Sequence, residues 1–186
     1  MMRIGIGYDI HRFNGRRPLK LGGITVPFGR GLAGHSDADV LLHAIADALL
    51  GAAGAPDLGE LFPPGDARTR GADSRLFVRA ALSRVRRLGL AVGNVDATVI
   101  ADAPKLGPYK ARMRRSIGRL LGLADSAVSV KAKTTEGFEP KGLGVAAQSI
   151  VLLESARGSR PEARGKGRAH PRATSHELLA ARKRVR

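Results

Sequence analysis

Residues 37–50 constrain the fold most, because this segment is apolar almost all the way round a helix. Ser36 and Asp39 are three residues apart and resemble a capping box, so we predict a helix that begins near residue 37. A helix that is apolar on every side is buried. Its interior polar residues, Asp39, His43 and Asp47, are spaced four apart and share one stripe. The fold must supply partners for that stripe, since buried polar groups are hydrogen-bonded.

The chain begins with a short apolar run, residues 4–8, in which every second residue is glycine. This pattern predicts a buried N-terminal β-strand. Side chains two apart on a strand lie on the same face, so Asp9 and His11 project side by side at the strand's end. They supply two of the three protein ligands of a typical catalytic zinc site. The same pattern also suits a surface turn with a solvated histidine.

His43 is the candidate for a third ligand, and its environment allows two interpretations. It is either a core histidine bonded to Asp39 or Asp47, or a metal ligand that Asp47 orients. Spacing alone slightly favours the first. The chain has no cysteine, which restricts metal sites to histidine and carboxylate ligands. Such ligands suit a catalytic zinc better than a thiolate structural one.

The formal charge of +16 is shared equally by two parts of the chain. Residues 1–154 hold 22 basic and 14 acidic residues, whereas residues 155–186 hold 10 and 2, so each part carries +8. The second part is rich in glycine, proline and arginine, which predicts a disordered basic tail after a single domain at residues 1–154. A solvated extension is the simplest interpretation, and weak contact with nucleic acid is the alternative.

The remaining pattern predicts an α+β fold in one domain, with a mixed β-sheet of about four main strands packed on helices. A hairpin is expected around Gly22 and Gly23. The further predicted elements are helices at residues 73–88 and 108–121 and strands at residues 94–100, 127–133 and 145–153. No apolar run approaches the ~20 residues that span a bilayer. We therefore expect a cytoplasmic protein with no membrane partner.

Thr134, Thr135 and Glu136 follow directly after the strand predicted at residues 127–133. Two hydroxyls and a carboxylate at a strand end suit phosphate oxygens and a hard divalent cation. A plain loop is the commoner structure for such a sequence.

Several of these segments match one family together, in order and at its spacings. The matching segments are residues 5–11, 34–39, His43, 47–52, 57–59, 61–63, 71–74, 94–96, 103–105 and 131–136. Over residues 2–154 the chain resembles the 2-C-methyl-D-erythritol 2,4-cyclodiphosphate synthase family of the non-mevalonate isoprenoid pathway. The resemblance implies a homotrimer with active sites between subunits. It also implies conversion of 4-diphosphocytidyl-2-C-methyl-D-erythritol 2-phosphate to 2-C-methyl-D-erythritol 2,4-cyclodiphosphate, with release of CMP.

The resemblance further implies roles for individual residues. The expected zinc ligands are Asp9, His11 and His43. Glu136 would hold magnesium or manganese, and His35 and Thr134 would act on the phosphates as catalytic residues. The expected substrate contacts are Ser36, Asp57, Gly59, Phe62, Asp66, Ala101, Ala103, Pro104, Lys105, Leu106, Thr135, Phe138 and Lys141.

The chain departs from the family pattern at a few positions. Pro64 and Lys133 stand where relatives often have Asp and Thr, and the loop after Glu136 is about two residues shorter. Lys141 and Leu143 stand where Arg and Glu are frequent, which affects the lining of the central cavity of the trimer rather than the reaction. Two other functions are compatible with the same residues, a metal-dependent phosphohydrolase and a catalytically inactive, basic RNA-binding protein.

Overall fold

A computed structural model describes residues 1–15, 17–63, 65–137 and 142–156 of the chain. The strands are β1 (Met2–Arg12), β2 (Leu19–Leu21), β3 (Ile24–Val26), β4 (Leu90–Ile100), β5 (Val128–Lys133) and β6 (Gly144–Ser155). The helices are α1 (Val40–Ala53), α2 (Leu58–Leu61), α3 (Arg75–Arg87) and α4 (Lys110–Leu121). Short 3-10 turns lie at Ala67–Thr69, Gly107–Tyr109 and Asp125–Ala127.

The main sheet has four strands in the order β1-β6-β4-β5. β6 is antiparallel to both of its neighbours, whereas β4 and β5 are parallel. β2 and β3 form the hairpin predicted around Gly22 and Gly23. The structure confirms the predicted single α+β domain with a mixed sheet of four main strands.

Helix α1 packs directly against β1 because two residues on the contacting face of β1, Gly5 and Gly7, have no side chains. A Cβ atom added to Gly5 would lie 2.0 Å from the carbonyl oxygen of Ala48, and one added to Gly7 would lie 2.0 Å from that of Ala44. Real Cβ atoms do not approach backbone so closely, so only glycine allows this contact. The side chains of α1 fill the core between the sheet and α3.

The other face of β1 is solvent-exposed, which corrects the prediction of a buried strand. Ile4, Ile6, Tyr8 and Ile10 are 55–72% exposed, and Ile150 of β6, the register partner of Ile6, is 46% exposed. We call these five residues the open sheet face. The sequence pattern indicated burial on both sides of β1, but only the glycine side is covered. A contiguous exposed apolar face of this kind is a candidate interaction surface.

Helix α1 begins at Val40, three residues later than predicted, because the carboxylate of Asp39 is its N-cap. The side chain of Asp39 is fully buried and accepts backbone hydrogen bonds from Leu42 at 3.1 Å, Gly22 at 2.8 Å and Gly23 at 2.6 Å. Asp39 thus anchors the β2–β3 hairpin to the helix. Ala38 before it has φ of 58°, a left-handed backbone that does not continue a helix.

Helices α3 and α4 end close to their predicted limits. Gly122, with φ of 72°, caps the C-terminus of α4 in the left-handed conformation. Among the described residues, no helix combines the length and apolar character needed to cross a membrane.

Candidate metal centre and substrate pocket

Asp9, His11 and His43 converge at the end of β1 nearest the start of α1. The Oδ2 atom of Asp9 lies 2.8 Å from Nε2 of His11 and 2.9 Å from Nδ1 of His43. The two ring nitrogens are 3.3 Å apart. One ligand atom from each residue lies within 4.8 Å of the others, and no other group of described residues forms such a set. This arrangement can hold one metal ion with a position left open.

The second ring nitrogen of His43 faces serine hydroxyls. Nε2 lies 3.0 Å from Oγ of Ser74 and 3.2 Å from Oγ of Ser36. The prediction that Asp39 or Asp47 partners His43 was wrong. Asp39 caps the helix, and Asp47 accepts a hydrogen bond from the amide of Leu58 at 2.8 Å, so both carboxylates point to other backbone groups.

The Ser74 hydroxyl is connected in turn to Asp37. It donates to Oδ1 of Asp37 at 2.5 Å, and the backbone amide of Ser74 donates to the same oxygen at 3.1 Å. Neither residue was predicted to belong to the site, although Ser74 ends one of the matched segments. The only local sign was the serine hydroxyl at the start of the predicted helix at residues 73–88.

Electrostatics distinguish the members of the cluster. Burial would raise the pKa of Asp9, but hydrogen bonds and charge attraction from His11 and His43 outweigh it and lower the pKa well below the ordinary 3.8. Burial would lower the pKa of His11, but the hydrogen bond and charge of Asp9 prevail, and the Ala33 carbonyl adds to them, so that the pKa is raised. Without a metal, the Asp9 carboxylate and the charged form of His11 therefore stabilise each other.

Aromatic rings form one wall of the site. The ring of Phe77 lies 5.4 Å from that of His43, and the ring of Phe62 packs edge-on against Phe77 with centroids 4.9 Å apart. This apolar wall restricts the rotation of the His43 imidazole and limits water on that side.

The cluster opens into a cavity of about 320 Å³. Seven of the predicted site residues line it, namely Asp9, His11, His35, Ser36, His43, Gly59 and Phe62. The imidazole of His35 is exposed and makes no hydrogen bond with another described residue. Asp57 and Asp66 lie outside this lining. Asp57 instead caps α2 through a hydrogen bond from Glu60 at 2.8 Å.

A second group of predicted residues lies around the ends of β4 and β5. Thr134 donates to Oε1 of Glu136 at 2.5 Å, and Thr135 donates through both its amide and its hydroxyl to the carboxylate of Asp102 at 2.9 Å. Five predicted substrate contacts lie in the adjoining loop, namely Ala101, Ala103, Pro104, Lys105 and Leu106. The role of Asp102, whose carboxylate connects this loop to Thr135, was not predicted from the sequence.

A second depression, of about 400 Å³, adjoins these loops. Its lining includes Asp102, Thr135 and Leu143 together with Tyr8 and Ile10 of the open sheet face. None of the residues 101–106 or 134–136 lines the cavity beside the metal cluster. Two predicted substrate contacts, Phe138 and Lys141, and the departure at Pro64 lie outside the described residues.

A family model and individual relatives both match most of this chain. The model of the YgbB family matches residues 2–154. The chain is 54% identical over 154 residues to the 2-C-methyl-D-erythritol 2,4-cyclodiphosphate synthase of Moorella thermoacetica, a match that covers 82% of this chain and 94% of the relative. The enzyme of the same name from Salinibacter ruber is 56% identical over 157 residues, covering 83% and 100%.

Solved structures agree with the sequence relatives. The structure of a 2C-methyl-D-erythritol-2,4-cyclodiphosphate synthase in a CDP-bound form superposes with a TM-score of 0.76 and 40% identity. That match covers 82% of this chain and all of the other chain. The family match ends at residue 154, before the basic tail, and residues 157–186 of that tail lie outside the described part of the chain.

Proposed function

The chain belongs to the YgbB family, and from that membership we propose that its metal cluster and adjoining loops carry out the reaction of its cyclodiphosphate synthase relatives. It is a phosphorus–oxygen lyase that converts 4-diphosphocytidyl-2-C-methyl-D-erythritol 2-phosphate to 2-C-methyl-D-erythritol 2,4-cyclodiphosphate and CMP, in non-mevalonate isoprenoid precursor biosynthesis. The observation that carries the assignment to this site is the convergence of Asp9, His11 and His43 on a cavity of about 320 Å³. The phosphohydrolase and RNA-binding alternatives gain no support from the relatives.

The reaction needs no nucleophile from the protein. An oxygen of the substrate's own 2-phosphate forms a bond to the β-phosphorus, while the bond from that phosphorus to the bridging oxygen breaks and the oxygen leaves with CMP. The protein has to hold both ends of the substrate in line and neutralise charge on the phosphate oxygens. His35 suits the second task, because its exposed imidazole lines the cavity and has no described partner to displace.

A carboxylate and two imidazoles form a donor set that suits zinc, so Asp9, His11 and His43 would hold that ion. Zinc bound there would act as a Lewis acid on a phosphate oxygen. Glu136, on an exposed loop beside Thr134, offers a hard oxygen ligand of the kind that magnesium or manganese prefers. The hydroxyl of Thr134, which donates to Glu136 in this structure, would donate to a phosphate oxygen when Glu136 serves as a metal ligand.

The proposed substrate contacts fall into two groups, one beside the metal cluster and one in the loops after β4 and β5. Ser36, Gly59 and Phe62 line the cavity beside the metal cluster and would contact the methylerythritol diphosphate part, with Asp57 and Asp66 close in sequence. A cytidyl diphosphate substrate is supported by the CDP-bound relative. The cytosine would lie in the loop at residues 101–106, with Thr135, Phe138 and Lys141 as further contacts.

A homotrimer would unite the two halves of this site. The cytosine loop and Glu136 do not line the cavity beside Asp9, so a site built from one chain leaves these groups apart. The open sheet face, which includes Ile6 and Tyr8, exposes an apolar patch that a second copy of the chain can cover. We propose active sites between neighbouring subunits.

Product analysis tests the proposed reaction. Purified protein is supplied with the cytidyl substrate, zinc and magnesium, and phosphorus NMR follows the products. We expect equimolar CMP and a cyclic diphosphate. Release of inorganic phosphate would indicate a phosphohydrolase instead, and no turnover would support the inactive alternative.

Light scattering tests the assembly. The expected mass in solution is three times the 19.6 kDa of one chain. Ile6→Glu places a charge on the open sheet face and should give monomers, whereas Arg79→Glu on the exposed side of α3 should remain trimeric. A wild-type monomer that turns over substrate at full rate would contradict the shared sites. The cytoplasmic location and a nucleic-acid contact of the tail stay proposals, to be tested by cell fractionation and by the truncation described below.

A further inference from the structure

The hydroxyl of Ser74 lies between His43 and Asp37, fully shielded from solvent. Ser74 is 0% exposed, and its Oγ is 3.0 Å from Nε2 of His43 and 2.5 Å from Oδ1 of Asp37. The backbone amides of Ser74 and Asp39 also donate to this Asp37 oxygen, at 3.1 Å and 3.4 Å. The Asp37 carboxylate is therefore fixed as an acceptor at the end of a short chain of groups that leads to His43.

Counting protons along this chain shows what Ser74 offers to His43. A carboxylate accepts hydrogen bonds only, so the single proton of the Ser74 hydroxyl goes to Asp37. At 3.0 Å from Nε2, Oγ of Ser74 then has only lone pairs to offer the imidazole, and their favourable partner is an N–H. A metal ion held by Asp9 and His11 would take the lone pair of Nδ1, which leaves the ring proton on Nε2, the nitrogen that faces Ser74.

Ser74 is better placed than Ser36 to accept the Nε2 proton. Oγ of Ser36 lies 3.2 Å from Nε2 and already accepts from the amide of Ala38 at 3.1 Å. Oγ of Ser74 lies closer, at 3.0 Å, and its own proton goes to Asp37. Loss of the Ser74 hydroxyl would therefore leave a buried N–H without its main acceptor.

We propose that Asp37 and Ser74 are positioning residues that hold His43 with its proton on Nε2 and so present Nδ1 to the metal. The inference rests on the proposed zinc site, because Nδ1 is the nitrogen of His43 that faces Asp9 and His11. Neither residue touches the metal position. Partners of this kind fix the orientation and tautomer of a histidine ligand, and their loss weakens metal binding about 10–100-fold.

Nitrogen NMR of the zinc-loaded protein measures which ring nitrogen of His43 carries the proton. With uniformly 15N-labelled full-length chain, long-range nitrogen–proton correlations assign the proton of His43 to Nε2 or Nδ1. We expect a slowly exchanging Nε2–H in the wild type and a faster exchanging one in Ser74→Ala, which lacks the Ser74 acceptor. A wild-type His43 protonated on Nδ1 would overturn the proposal, whatever the variants do.

Zinc competition with a chromogenic chelator provides the second readout. We expect Ser74→Ala to bind zinc about 10–100-fold more weakly. Asp37→Asn retains an oxygen that accepts from Ser74 and should lose much less. The matched control is Ser149→Ala, since Ser149 is 1% exposed and its hydroxyl has no partner among the described residues. It should bind zinc as the wild type does.

The outcomes separate the inference from the proposed function. If Ser74→Ala is folded and binds zinc like the wild type, Ser74 does not position His43, although the zinc site stands. If the wild type fails to bind one zinc per chain, the zinc site itself is wrong, and the inference that depends on it is overturned as well.

Discussion

The carboxylate of Asp102 accepts hydrogen bonds from both the backbone amide and the hydroxyl of Thr135. It thereby joins the loop after β4 to the loop after β5, which carries Glu136. Parallel β4 and β5 end side by side, with Ile100 and Lys133 as register partners, so their loops leave the sheet at the same edge. Asp102 holds two loops with proposed substrate contacts in one arrangement.

Asp102→Ala should therefore impair turnover without unfolding the protein. Loss of the carboxylate leaves the Thr135 donors without this partner, which costs about 1–3 kcal/mol locally. We expect a raised KM for the cytidyl substrate and retained zinc content. The comparison variant is Asp125→Ala, whose carboxylate pairs with Arg114 at a distant end of α4. Equal kinetics for the two variants would show that the link between the loops is unimportant.

His43→Ala should remove most bound zinc and most turnover while leaving a folded trimer. Two remaining ligands hold zinc weakly, whereas the core around α1 consists mainly of aliphatic side chains that do not depend on the metal. Zinc per chain is measured by atomic absorption after gel filtration. Zinc content close to one per chain would make His43 a core histidine without a metal role.

Glu136→Gln should separate the two proposed metals. The substitution keeps the size of the side chain but removes the charge that a hard cation requires. Zinc content should not change, whereas the magnesium or manganese concentration needed for half-maximal rate should rise at least about tenfold. The rate is titrated against each metal in wild type and variant. An unchanged metal dependence would exclude Glu136 as a ligand.

Removal of zinc should reverse the pH dependence of stability. The raised pKa of His11 gives the metal-free protein stability that is complete below pH 6.5 and is lost as the pH rises through the raised value. The lowered pKa of Asp9 gives stability that is present above pH 3.8 and is lost only in stronger acid. Zinc binding instead requires a neutral His11, so the zinc-bound form is destabilised as the pH falls.

Thermal melts between pH 8 and pH 6 test the predicted direction of the change in stability with pH. The melting temperature of chelator-treated protein should rise relative to that of zinc-loaded protein as the pH is lowered. Asp9→Asn should abolish the rise in metal-free protein, because it removes the charge that favours protonated His11. Parallel pH curves for the two forms would show that zinc does not compete with protons at this cluster.

Deletion of residues 157–186 should leave the reaction intact. It removes ten basic and two acidic residues and lowers the net charge from +16 to +8. The family match ends at residue 154, so CMP release should persist within a small factor. Non-specific binding to RNA should weaken and lose part of its salt dependence, because fewer counterions are released. A soluble, trimeric but inactive truncation would show that the tail completes the site.

Local signals predicted much of the fold. Gly22 and Gly23 predicted the hairpin, and Gly122 predicted the end of α4. Alternating apolar residues predicted the strands of the sheet. The spacing of Asp9 and His11 predicted two members of the metal cluster, because strand periodicity alone brings them together. These features depend on residues close in sequence, which is why they could be inferred without the structure.

Contacts between distant segments could not be predicted in this way. The stripe on α1 indicated that His43 shares partners with Asp39 and Asp47, yet its partners are Asp9 and Ser74, 34 and 31 residues away. Likewise, the sequence of β1 does not show that helix α1 covers only the glycine side and that Ile6 is exposed. Tertiary packing decides both cases.

The contact between Gly7 and the carbonyl of Ala44 has a consequence for transferring this chemistry to other scaffolds. A strand and a helix that carried ordinary side chains at this contact would stand further apart, and Asp9 and His43 could no longer share a 2.9 Å hydrogen bond. If the three proposed ligands were copied onto another strand–helix pair, their side chains would be too far apart to coordinate one ion. The missing methyl groups of Gly5 and Gly7 are thus as much part of the metal centre as the side chains that point into it.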